Sequence, residues 1–124
     1  MIVQREFLVQ RCAHMSELLE ESLKTNLAEG PHVGDVRGRG LFWAIEFVSD
    51  KSSKTPFDTA LMVGLSVQRQ ALKLGVNIYP GGGGVDGVKG DHVLIAPSYT
   101  VTQAEIETIG SIVLKAYRKV VSRL

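Results

Sequence analysis

The sequence predicts one α/β domain spanning residues 1–124, of the two-layer (α+β) kind, with three helices on one face of a mainly antiparallel sheet of about four strands. Three observations carry this. Apolar residues recur at helical spacing in three separate stretches, beginning near Leu8, Ala60 and Ile106. Between the first two lies Leu41–Val48, an apolar segment broken at Glu46 that reads as a half-buried strand. Glycine-rich reversals, Gly38-Arg39-Gly40 and Gly81–Gly84, punctuate the strand regions.

The first helix carries Leu8, Cys12, Met15, Leu19, Leu23 and Leu27 as one stripe and stops at Gly30-Pro31. Val33–Arg37 and Leu41–Val48 are expected to pair as a hairpin, with the two glycines around Arg39 allowing the reversal. In the second strand Leu41, Trp43, Ile45 and Phe47 share one face, and Phe42, Ala44, Glu46 and Val48 the other. After a polar loop, Asp58 is placed to cap a second helix carrying Ala60, Val63, Val67, Ala71 and Leu74, which Gly75 closes in a left-handed conformation. Val76–Tyr79 and His92–Ala96 read as short strands flanking the glycine-rich loop. Thr102 and Glu105 form a capping box at the head of a last helix whose stripe is Ile106, Ile109, Val113, Ala116 and Val120. No internal repeat and no interdomain linker is evident.

Composition narrows the classes of function. Fourteen basic and 13 acidic side chains leave a net charge of +1, too little to draw nucleic acid or an anionic membrane, so neither is expected as a partner. No apolar run approaches the roughly 20 residues of a membrane span, and the N-terminus lacks the pattern of a secretory signal. The single cysteine, Cys12, suits a reducing compartment, and a cytoplasmic location is expected.

Motifs that carry chemistry are sparse. Four consecutive glycines suggest a phosphate cradle, but Val85-Asp86-Gly87 stands where a P-loop needs Gly-Lys-Ser/Thr. Trp43 fills the slot that a third glycine takes in a dinucleotide fingerprint. His14, His32, His92 and Cys12 share no metal-ligand spacing, and neither Ser66 nor Ser98 sits in a nucleophile elbow, so no metal is expected. Glu46 interrupts an apolar strand and is expected either to face solvent or to pair with Arg37 or Arg39. Lys89, Asp91 and His92, with Tyr99 beyond Pro97, combine a cation, a carboxylate, an imidazole and a phenol; they are the candidate acid–base residues, against a bland reading as the polar rim of a turn. Arg37, Arg39, Glu46, Gly83 and Gly84 are the candidate substrate-binding positions.

Across nearly its whole length the chain resembles the C-terminal small domain of class III (fold type I) aminotransferases, which depend on pyridoxal phosphate. The segment Val33–Leu41, Val-Gly-Asp-Val-Arg-Gly-Arg-Gly-Leu, carries the resemblance most specifically. Arg5–Leu27 is similar to the family's long interdomain helix, and Pro56-Phe57, Gly75-Val76, Gly87–Asp91, Ala96-Pro97 and Thr100–Ile106 follow in the family's order. The Asp86–His92 stretch resembles the branch acting on ω-amino acids and amines. The resemblance implies that the Schiff-base lysine and the coenzyme-gripping residues belong to a large domain that nothing here resembles. None of the seven lysines (Lys24, Lys51, Lys54, Lys73, Lys89, Lys115, Lys119) sits in matching surroundings, so no cofactor is expected on this chain alone. Several relatives place a carboxylate-binding arginine just before the Gly-Asp pair; Lys89 stands here, a point charge without the bidentate fork.

Three functional expectations follow. The first is a stand-alone small domain, part of a split or truncated transaminase, that works beside a large-domain partner. The second is a repurposed, cofactor-independent enzyme acting on a small molecule by acid–base or cyclisation-type chemistry. The third is a homodimeric binding or assembly module, because a missing large domain would bare apolar surface that a second copy could cover.

Overall fold

A computed structural model describes residues 2–82, 90–98 and 100–124. Helix α1 (Ile2–Leu27) leads into a hairpin of β1 (Val33–Arg39) and β2 (Phe42–Phe47). A 3-10 turn (Thr59–Leu61) and helix α2 (Val63–Lys73) follow, then β3 (Tyr79–Gly82), β4 (Asp91–Ile95) and helix α3 (Gln103–Val121). The four strands form one sheet in the order β1-β2-β4-β3, every neighbouring pair antiparallel. The expected two-layer architecture is therefore observed.

Alternation in β2 decides which face is buried. Trp43, Ile45 and Phe47 turn towards the helices, where they meet Val36 of β1 and Val93 and Ile95 of β4. Leu19, Leu23 and Leu27 of α1, Val67 and Ala71 of α2, and Ile106, Val113 and Ala116 of α3 close this core from the other side. Phe47 stacks on Tyr117 with ring centroids 5.9 Å apart, and the Tyr117 hydroxyl accepts the His32 amide at 2.8 Å. Of the first-helix stripe, Leu19, Leu23 and Leu27 are buried and Cys12 and Met15 half-buried, while the side chain of Leu8 lies outside what the structure describes.

Two helix ends, the start of α3 and the end of α2, are satisfied as their sequences suggest. Thr102 and Glu105 exchange both bonds of the capping box. At the end of α2, Gly75 takes φ +99°, its N–H bonds to Leu72 O and that of Val76 to Ala71 O, the paired bonds of a Schellman motif. Lys51 reaches back from the polar loop and donates to Ala28 O at 2.6 Å and Gly30 O at 3.2 Å, satisfying carbonyls just past the α1 terminus.

Three local expectations shift. The hairpin turns at Gly40-Leu41, not around Arg39: Arg39 pairs with Phe42 inside the ladder, and only Gly40 of the two glycines takes positive φ. Gly38 is needed for space instead, because a Cβ there would collide with the Trp43 ring and with Phe42 O at 2.5 Å. Asp58 caps the 3-10 turn rather than α2, accepting from Ala60 N at 3.0 Å; the chain then breaks at Met62 (φ +48°), and α2 starts at Val63. Ala60 and Leu74 consequently lie on the surface. The third strand begins at Tyr79 and runs through Pro80-Gly81-Gly82, three residues later than Val76, since pairing with β4 outweighs the poor strand propensity of those residues. Its place at the sheet edge is where proline is tolerated. Among the described residues no helix is long and apolar enough to cross a membrane.

Candidate functional site

All three helices pack on one side of the sheet, which leaves the opposite face to be built by alternate strand residues. Register brings Asp35, Arg37 and Arg39 of β1 beside Phe42, Ala44 and Glu46 of β2, then His92 and Leu94 of β4, then Tyr79 and Gly81 of β3. Phe42 and Tyr79 are each 56% exposed on this face.

A polar row crosses it. Arg37 Nη1 donates to Glu46 Oε2 at 2.9 Å and to Asp35 Oδ2 at 3.1 Å, so one guanidinium serves two carboxylates. These hydrogen bonds, that of Glu46 first, raise the guanidinium's pKa above its ordinary value. Both pairs are open to solvent and contribute at most about 1 kcal/mol to stability. His92 is the direct cross-strand neighbour of Glu46 and of Gly81. The imidazole lies over Gly81, where a Cβ would come within 2.9 Å of Cδ2 and closer still to Nε2 and Cε1. A side chain at Gly81 would therefore push the ring off the sheet. Glycine inside a strand pattern signals such close approach, but a strand expected to end at Tyr79 leaves Gly81 reading as loop.

The pairing expected of Glu46 is thus found with Arg37; Arg39 lies at the hairpin end, exposed, beside Phe42. Asp91 and His92, though adjacent, face opposite sides of the sheet. Asp91 is buried on the helical side and its Oδ1 accepts the Gly64 amide at 3.0 Å, capping the first turn of α2, whose own N-cap residue Met62 makes no side-chain bond. A strand residue capping a helix 27 positions earlier leaves no local sequence signal. Asp91→Ala is expected to lower stability by about 1–2 kcal/mol, and Asp91→Asn, which keeps the acceptor, by clearly less; urea midpoints measure both. Lys89, Tyr99, Gly83 and Gly84 lie outside the described residues.

The arrangement supplies a compensated arginine, an imidazole and two exposed rings on a shallow face. It offers a surface for a second polypeptide or a wall for a site completed elsewhere, not an enclosed pocket.

Comparison with known proteins decides the family. A profile of the class-III aminotransferases matches residues 1–116. The chain belongs to this family. An uncharacterised aminotransferase of Schizosaccharomyces pombe is 40% identical over 123 residues, 99% of this chain and 27% of its own length. An aminotransferase of Gibberella zeae is 40% identical over 116 residues, 93% of this chain and 23% of its own. Among solved structures, a pyridoxal-phosphate-bound aminotransferase mutant from Vibrio fluvialis superposes with a TM-score of 0.85 at 33% identity, over 98% of this chain and 25% of that one. The chain spans about a quarter of the length of the curated aminotransferases it matches.

The aminotransferase coenzyme needs a lysine held in a site that grips the ring and its phosphate. Among the described residues, no lysine fits. Lys24 Nζ bonds to Glu20 at 2.7 Å on an exposed helix face, and Lys51 is engaged by the carbonyls beyond α1. Lys54, Lys73, Lys115 and Lys119 are exposed.

Proposed function

We propose that the chain supplies the small lobe of a pyridoxal-phosphate-dependent class III aminotransferase. It takes part in amino-group transfer together with a polypeptide region that carries the coenzyme and its lysine. The observation that carries this reading is the contrast between the two sides of the sheet. One side is closed by three helices into a complete core, whereas the other presents Phe42, Tyr79, Arg37 and His92 with no helix packed over them among the described residues. Tyrosine, phenylalanine and arginine on one face are the side chains that anchor protein interfaces. The larger region docks there, and the row from Arg37 to His92 faces it. The central positions Ala44 and Leu94 are uncharged, and Arg37 is already neutralised by two carboxylates. That favours an amine or ω-amino acid as donor over a substrate needing a free arginine fork at this wall.

Reconstitution tests the proposal. The chain is mixed, or joined, with the remaining three quarters of a class III relative, and amine-to-keto-acid transfer is measured. Turnover is expected from the combination. The double substitution Phe42→Glu with Tyr79→Glu is expected to abolish association and activity while leaving the thermal melt of the lobe unchanged. Full association by that variant would overturn the assigned docking face; no turnover from an associated wild-type pair would overturn the catalytic reading.

A further inference from the structure

The helical side of the lobe carries a groove of about 630 Å³ between α2 and the end of α3, behind the sheet as seen from the face described above. Leu61, Leu72 and Leu124 line it, exposed by 47%, 53% and 53%. Arg69, Lys73 and Arg123 line the same groove, and no acidic side chain does. None of the three cations takes part in an ion pair among the described residues.

Basic residues at helix C-termini complement the helix dipole, which accounts for Lys73 in the last turn of α2 and for Arg123 just past α3. It does not account for Arg69, a turn earlier, nor for leucines left half in water between the cations. A chain of net charge +1 has gathered three unpaired cations around one apolar strip. A small ligand fits poorly, because sites for small molecules bury most of the ligand surface and this floor is open. Two parallel-lying requirements, apolar contacts along a strip and carboxylates at its rims, are met by one helix carrying leucines on one face and glutamates beside them.

We propose that this groove docks an acidic amphipathic helix of a partner protein. The surface lies on the opposite side of the lobe from the face assigned to the coenzyme-bearing region, and the two proposals fail separately.

The test is fluorescence anisotropy with a labelled helical peptide of about five turns, leucines at i, i+3, i+4 and i+7 and glutamates on the flanks, and a twin carrying lysine in place of glutamate. The acidic peptide is expected to bind saturably, the lysine twin at least about tenfold more weakly, and added salt to weaken the acidic complex. Replacing Arg69→Glu, Lys73→Glu and Arg123→Glu together should cut affinity for the acidic peptide at least about tenfold with an unchanged circular-dichroism melt. Should that variant misfold, Arg69→Gln with Arg123→Gln and the salt series on the unaltered chain read the same quantity. Absence of saturable binding, or equal affinity for both peptides, overturns the proposal. So does a dimer of this chain that the same substitutions dissolve, which would assign the groove to a second copy.

Discussion

Phe47→Ala is expected to remove about 3–5 kcal/mol of stability, a large part of what a domain of this size possesses. Phe47 is fully buried at the last position of β2, where it pairs with Val33 of β1 and Asp91 of β4 and stacks on Tyr117 of α3. Truncation leaves a cavity that neither layer can collapse into, because the ring is sandwiched between the sheet and Tyr117. Tyr117 would also lose the contact that positions its hydroxyl under the His32 amide, loosening the entry to β1. Phe42→Ala, five residues earlier on the exposed face, provides the internal control and is expected to change stability by less than about 0.5 kcal/mol. Chemical denaturation of both variants measures the difference. Similar losses at the two positions would contradict the assignment of faces.

Gly64→Val is expected to cost about 2–4 kcal/mol, although valine replaces glycine inside a helix and would be mildly favourable on propensity alone. A Cβ at Gly64 would stand 2.8 Å from His92 O and 3.3 Å from Gly81 O. Those are backbone atoms of paired strands, and they cannot swing aside as a side chain can. The helix must lift off the sheet, which also pulls the Gly64 amide from the Asp91 carboxylate. Because α2 rests on the strands that carry His92 and Gly81, the same substitution should disturb the open face from behind. Gly75→Ala gives the comparison: nothing lies within 4 Å of a Cβ there, and its cost, about 1–2 kcal/mol, comes only from the positive φ. Urea midpoints of the two variants measure both costs.

These contrasts show which physical information the sequence holds locally and which it does not. The end of α2 and the start of α3 are legible because their hydrogen-bonding partners lie within a few residues, at Gly75 and at Thr102 with Glu105. The faces of β2 are legible from alternation. The break at Met62 is not, since methionine has no preference for positive φ and the packing of Gly64 against β4 sets where α2 begins. Nor is the role of Gly38, which reads as a turn residue until the Trp43 ring is placed over it. The site divides in the same way. The Arg37–Glu46 pair follows from hairpin register and is one of the two pairings expected from composition of the strands. The separation of Asp91 from His92 follows from strand geometry once β4 is known to begin at Asp91 rather than His92. Gly64 and Gly81 carry no local signal because each matters only through a contact made across the fold.

On the function proposed above, this lobe serves a coenzyme-dependent transferase without itself gripping the coenzyme. The most direct measurement incubates the 124-residue chain with pyridoxal phosphate and records the visible spectrum after dialysis, then treats the sample with borohydride and maps any lysine adduct by mass spectrometry. No retained visible band is expected, and only sparse labelling scattered over exposed lysines. A stoichiometric adduct on one lysine, with a band lost when that lysine is replaced, would contradict the claim.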